Sequence, residues 1–380
     1  MSTTANQALR ATANGYVIEY ATTKYITLPS CEFVLTILLT LCVYCYCSAI
    51  ICPGHSRPVP DVQFGCMNES ENGSYLLVSS CLDNKSMVRD GISGDWIGTF
   101  IGHKGAVWCT RINATSTLAA TGSADFSVKL WDASNGDTLY TFPHKHIVKA
   151  VEFSRDSSKL YTGGHEKLVR VYDLTTFSDT PILCSKPQST SINTIVQLPN
   201  PTQIAVSGTD NNITIYNTVD LSMANTIHTD HPVTSLTIAN DRSLICVSYG
   251  SQISLYNSTT FYHVHTIKLD HIISCAAYDP LLQRFISGSS TELWVRCYDY
   301  NGNELSIGKG HHGPVRSLAF APHSMTYCSG SEDGTIRIWS SDYKSQAEPI
   351  DAIKQSMQQT HINHTAHNAV NKDSTISVTS

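Results

Sequence analysis

Residues 94–108 read GDWIGTFIGHKGAVW, and residues 121–132 read TGSADFSVKLWD. The first stretch holds a Gly-His pair, Gly102 and His103, between apolar runs that carry Trp96 and Trp108. The second closes on Trp131-Asp132. Within it Val128 and Leu130 alternate with Lys129 and Trp131, the period-two pattern of a strand. The closing SVKLWD has relatives along the chain: LVRVYD ending at Asp173, ITIYN at Asn217, ISLYN at Asn257, VRCYD at Asp299 and TIRIWS at Ser340. SMVRD, ending at Asp90, is a weaker first copy. Successive ends lie 40–44 residues apart. Turn signals such as Ser134–Asp137 and Asn301–Asn303 fall between them, and residues 53–340 carry no helical period.

Period, Gly-His and closing Trp-Asp together resemble the WD40 repeat, four strands to a propeller blade. Seven ends predict an all-β, seven-bladed β-propeller over residues 47–340. Residues 1–46 read as an N-terminal apolar extension and residues 341–380 as a polar, disordered tail. The WD40 resemblance implies a hydrogen-bonded set of His, hydroxyl, Asp and Trp within a blade. His103, Thr121, Asp125 and Trp131 stand at that spacing in blade two, and His311, Ser329, Asp333 and Trp339 in blade seven. Blade three offers His144, Thr162, Glu166 and Tyr172. Blade one keeps His55, Ser79 and Asp83 but has Arg89 for tryptophan, and blades four to six lack the aligned His. Asp, His and a hydroxyl have the make-up of a catalytic triad. Recurrence around a ring points instead to architecture, a satisfied polar network tying a turn to a strand. No residue is read as catalytic, since function is argued from a site and not from a repeat.

The 380 residues carry a net charge of −6, with 41% apolar and 15% charged side chains. That suits a globular protein with a sizeable core and gives no broad basic footprint for nucleic acid. Thirteen cysteines are present. Cys66, Cys81, Cys109, Cys184, Cys246, Cys275, Cys297 and Cys328 are scattered through strand-like segments and read as buried and reduced. Cys42, Cys45 and Cys47 form C-x-x-C-x-C without a second ligand pair, so no metal is read there.

The likeness goes beyond the repeat. GDWIGTFIGHKGAVW, with CPGHSRPVPDVQF (52–64), HKHIVKAVEFS (144–154), TGGHEKLVRVYDL (162–174) and SGSEDGTIRIW (329–339), resembles the serine-threonine kinase receptor-associated family. The resemblance spans residues 50–340, strongest in blades one to three and seven. GAVWC and TGSAD are also similar to the propeller subunit of eukaryotic translation initiation factor three, while GDWIGTF and HKHIVK favour the first family. That resemblance implies a non-enzymatic adaptor without cofactor, in cytoplasm and nucleus. It implies a place in the survival-of-motor-neuron complex, which assembles spliceosomal ribonucleoproteins, and a brake on transforming-growth-factor-β receptor signalling. RNA contact is then indirect, through protein partners.

Other motifs fall short. GNELSIGKG (302–310) has five residues between Gly302 and Gly308, and Gly310 stands where a phosphate loop needs Ser or Thr. His165-Glu166 lacks the second His of a zinc helix, and no G-x-S-x-G occurs. His361, His364 and His367 belong to a solvated polar tail.

Residues 33–52, FVLTILLTLCVYCYCSAIIC, are twenty residues without a charge and have the length of a membrane span. Against that, a propeller closes its last blade with a strand from the other terminus, and the family places that strand at Ser48–Cys52. Flanking positive charge is also sparse. Residues 1–46 therefore read as a leader, an anchor or a gene-model extension. A propeller tethered to a membrane through residues 33–52 is the alternative reading, as is an initiation-factor subunit.

In WD propellers the partner face is built on the innermost strands and beside the turn acid. The matching positions are Trp108, Lys149, His165, Arg316 and Glu332. Val107, Val148 and Val315 at the preceding core position put Trp108, Lys149 and Arg316 on the other side of the strand. An exposed Trp beside Lys and Arg is hot-spot composition. The competing reading packs Trp108 between blades.

Overall fold

The computed structural model describes residues 11–13, 16–18, 49–66, 74–323 and 326–340. The tail, its histidines, Cys42, Cys45, Cys47 and residues 33–48 of the apolar run lie outside them. The chain divides into two units, Met1–Tyr46 and Cys47–Ser380. In the first, Ala11–Ala13 pairs antiparallel with Tyr16–Ile18.

The second unit holds seven four-stranded antiparallel sheets. Blade two runs Val107–Ile112, Leu118–Ser123, Ser127–Asp132 and Thr138–Pro143, strands a to d from the channel outward. The a strands pack in sequence, and that of blade seven, Val315–Phe320, returns to that of blade one, Asp61–Phe64. The ring is closed, and no helix occurs among the described residues.

Burial explains the sequence pattern. Strand b of blade two is buried from Ala119 through Ser123, whereas strand d buries only Phe142. Inner strands lie between two blades and are covered on both faces, so their apolar runs are nearly continuous. The alternation along SVKLWD is accordingly between two buried faces. Trp131 packs on Phe100 of blade one, with ring centroids 5.2 Å apart. Leu130 faces Val148 and Phe153 of blade three. The core is thus a layer between each pair of neighbouring blades. Tight approach needs small residues on strand b: a Cβ on Gly122 would lie 2.7 Å from Cys109 Sγ.

Repeat and blade are out of phase. GDWIGTF is strand d of blade one, Trp96–Phe100, followed by strands a to c of blade two. The last repeat therefore ends on a c strand, Ile336–Ser340. Its outer neighbour is Ile50–Cys52, paired Ile50↔Ile338, Ile51↔Arg337 and Cys52↔Ile336. The closing strand expected at Ser48–Cys52 is thus described over its last three residues, with Ser48 outside the described ones. The end of the apolar run is strand, and no helix among the described residues is long and apolar enough to cross a membrane. Arg89 secures the same corner. It is buried and donates to Gly94 O at 3.1 Å and to Pro53 O, just beyond the closing strand. The departure from tryptophan in blade one thus ties that blade to the closure.

Two cysteines depart from expectation. Cys66 and Cys184 are exposed, because Cys66 follows the end of strand a in blade one and Cys184 lies on a two-residue outer strand. Cys81, Cys109, Cys246, Cys275, Cys297 and Cys328 are buried free thiols.

Candidate partner-binding face

In blade two the polar set is a one-way chain of donors. Trp131 Nε1 donates to Thr121 Oγ1 at 2.8 Å, Thr121 donates to His103 Nε2 at 2.7 Å, and His103 Nδ1 donates to Asp125 Oδ2 at 2.8 Å. Asp125 also accepts from Lys104 N at 2.9 Å and from Ser127. Blade seven repeats this with Trp339, Ser329, His311 and Asp333 at 2.8, 2.7 and 3.1 Å. Burial works to raise the Asp333 carboxyl; the N–H groups of His312 and Thr335, the Thr335 hydroxyl and His311 outweigh it and hold it at about 2. Each donor and acceptor is used inside the blade, so none is left to act on a substrate. Asp333→Ala is expected to cost about 1–3 kcal/mol, the desolvation of partners left unsatisfied. A calorimetric melt checks this, and an unchanged Tm would refute a structural role.

Blade three departs from the expected set. His144 Nε2 accepts from Thr162 at 2.9 Å, but its Nδ1 donates to Phe142 O at 3.1 Å. Glu166 turns to Arg170 and Lys145 N. An arginine on the neighbouring strand outcompetes a neutral imidazole for the carboxylate. Burial pushes His144 down to about 4. A depressed histidine gives stability that is present above pH ~6.5 and lost as pH falls toward 4. His144→Asn is expected to flatten part of that acid decline, by up to roughly 3 kcal/mol at pH 4. Chemical denaturation across pH 4–7 reads it, and an identical slope in the variant would refute it.

Blade six keeps the His–hydroxyl contact of the set, which alignment missed. His271 precedes its strand a, Ile273–Asp279, by two residues where His103 and His311 precede theirs by four, and still places Nε2 3.3 Å from Ser287 Oγ. In blade one, His55 Nε2 meets Ser79 at 2.9 Å and Nδ1 meets Asp83 at 3.4 Å. His55, Cys81 and Asp83 have the atom types of a metal site. Cys81 stands where blade two has Ser123 and does its work: Sγ donates to Arg57 O at 3.0 Å and accepts from Asp83 N at 3.3 Å. Burial raises that thiol to about 12, so it stays protonated.

The channel mouth has a different logic. In blades two to seven the a–b ladder shifts register at one equivalent residue: Trp108, Lys149, Asn193, Thr234, Ser274 and Arg316. A bulge leaves one residue unpaired and re-aims its side chain. All six line one cleft of about 340 Å³. Sequence reasoning found Trp108, Lys149 and Arg316; the polar residues Asn193, Thr234 and Ser274 lack the size or charge that marks a hot spot. Trp108 is half-buried, with Lys149 Nζ of the next blade 4.9 Å over its ring. Arg316 is engaged by Glu332, Nε to Oε1 at 2.7 Å. His165 stacks on His146 with centroids 5.1 Å apart. Trp108 Nε1 and Asn193 Oδ1 are buried without a hydrogen-bond partner.

Deeper in the channel Arg111 joins three blades. Its Nε donates to Glu152 Oε2 of blade three at 3.2 Å and its Nη1 to Asp61 of blade one. Asp61 also accepts from Thr110 N at 3.1 Å, and Glu152 from Gln197 N of blade four at 3.3 Å. Burial pushes both carboxyls above their ordinary range, with the guanidinium opposing it.

Residues 94–132, 136–173 and 302–340 match the WD domain, G-beta repeat family. A serine-threonine kinase receptor-associated protein of Dictyostelium discoideum is 40% identical over 294 residues, covering 76% of this chain and 98% of that protein. The Homo sapiens protein of the same name is 37% identical over 291 residues, covering 76% and 81%. Eukaryotic translation initiation factor 3 subunit I of Drosophila willistoni is a more distant relative, 26% identical over 316 residues. With likeness of this extent laid over a closed seven-bladed ring, the chain belongs to the serine-threonine kinase receptor-associated family of WD-repeat proteins.

Proposed function

We propose that the chain is a non-enzymatic scaffold that binds protein partners of a multi-subunit complex across its channel mouth. One observation carries this reading. The polar sets inside the blades recur, whereas the six bulge residues occupy one equivalent position and change character around the ring: an indole, two cations, an amide and two hydroxyls. What repeats holds the ring together; what varies at a repeated position is free to recognise. Trp108, Lys149, His165, Arg316 and Glu332 are the partner-binding residues in this reading, joined by Asn193. The complex is the survival-of-motor-neuron assembly of spliceosomal ribonucleoproteins, with a second role as a brake on transforming-growth-factor-β receptor signalling, in cytoplasm and nucleus. The relatives' shared name, receptor-associated, supports the second role in its printed sense alone. RNA is touched through the partners.

The test is affinity capture from cells with Trp108→Ala and Arg316→Ala beside the natural chain. Loss of ribonucleoprotein-assembly partners at unchanged Tm is the expected result. Undiminished capture would overturn the face, and capture of initiation-factor subunits in their place would overturn the complex.

A further inference from the structure

Lysine on the channel-mouth face is densest over two blades; the loops leading into blades four and seven carry one each, Lys186 and Lys309. Over blades two and three stand Lys104, Lys145, Lys149 and Lys167, in the loops leading into the blades, the b–c turn of blade three and the bulge. None has a carboxylate at ion-pair distance among the described residues. Lys167 Nζ donates to Ser189 O at 2.9 Å, and Lys149 has the Trp108 ring. The acids of the sector are committed elsewhere: Asp125 to His103 and the Lys104 backbone, Glu166 to Arg170 and the Lys145 backbone. Across the mouth the loops leading into blades five and six carry exposed Asp230 and Asp270 and no lysine. A chain of net charge −6 thus gathers four unneutralised ammonium groups in one sector.

The aromatic groups there are held in place. Phe126 is 45% exposed, sits at φ 65°, where a bulky side chain is strained, and lies 5.5 Å from the His146 ring. At the inner end of the sector, the Trp108 indole N–H is a buried donor with nothing to donate to, beside the Lys149 ammonium. Burial lowers the Lys149 pKa, as it does for a cation without a counter-ion.

We propose that the sector over blades two and three binds an acidic peptide segment of a partner protein, one carboxylate entering the mouth against Lys149 Nζ and the indole N–H of Trp108. The lysines of the rim supply complementary charge to the rest of the segment. The unpartnered Asn193 amide oxygen stands across the same cleft as an acceptor for a peptide N–H. A peptide suits the site better than RNA. The Trp108 face is covered by Lys149 and gives a base no stacking platform.

This proposal rests on the partner-face reading, and the test separates the two. Fluorescence anisotropy of the full chain is measured with labelled hexaglutamate, hexaglutamine, hexalysine and hexauridylate. Hexaglutamate is expected to bind and the other three to bind at least tenfold more weakly. Lys149→Ala, and separately Lys145→Glu with Lys167→Glu, are expected to weaken hexaglutamate at least tenfold. Both residues of the second pair are exposed, and an unchanged Tm of that variant shows that its effect is not misfolding. Asp230→Asn with Asp270→Asn should leave affinity unchanged. Hexaglutamate binding that is indifferent to the lysines, or weaker than hexauridylate, overturns the proposal. Capture of cellular partners that depends on Trp108 but not on the lysines keeps the face and removes the acidic segment. Capture indifferent to both removes the face and the proposal with it.

Discussion

Arg111→Met is expected to destabilise the propeller by about 3–5 kcal/mol, because removing one partner of a buried ion pair leaves its counter-charges uncompensated. Here two carboxylates are abandoned, Asp61 and Glu152, on the blades to either side. At this chain length the melting temperature should fall by something on the order of 10 °C. Acidification supplies a second signature. Both carboxyls are already raised by burial. A raised acid is stabilising below its folded pKa and loses that contribution as pH climbs through it. Without the guanidinium the two pKa values rise further, so the deficit of the variant should shrink as pH is lowered from 7 toward 5. Thermal melts across that interval check it. A deficit that stays constant with pH would mean that the carboxylates are solvated and the arginine acts through packing alone.

Deleting residues 1–54 is expected to abolish cooperative folding, with deletion of residues 1–45 as the reference that keeps it. The longer deletion removes Ile50–Cys52, the outer strand of blade seven, and Pro53, whose carbonyl receives Arg89. Strand Ile336–Ser340 would then present an unpaired edge, which invites association with a second chain. Cys52 and Ile338 lie in one apolar layer with Val59 and Leu77, so the layer between blades seven and one opens as well. Circular dichroism and sedimentation of the two truncations read the outcome. Equal melting of both would show that the ring does not depend on the closing strand.

The arithmetic of the fold was legible in the chain. A blade is a continuous meander whose backbone ladder sets a constant spacing between its turns, so the period of 40–44 residues, seven closing strands and the members of the polar sets in blades two and seven are local signals. His103 and Asp125 are 22 residues apart and belong to one blade. Where a local rule was bent, reading by alignment failed. His271 comes from a shorter loop, and Glu166 prefers Arg170, because hydrogen-bond partners are chosen by reach and charge and not by column. The charged groups that meet across blades, Asp61, Arg111 and Glu152, were not legible at all: Arg111 reaches residues 41 and 50 positions away, on strands whose own patterns do not mention it. The channel mouth is of the same kind. Trp108, Lys149, Asn193, Thr234, Ser274 and Arg316 are spread over more than two hundred residues of chain and become neighbours because each a strand bulges at the same place and the ring closes. Periodicity reports the ladder inside a blade, which short-range backbone geometry dictates. The chemistry of the channel depends on closure, which exists only once all seven blades and the strand from the other end of the propeller have packed.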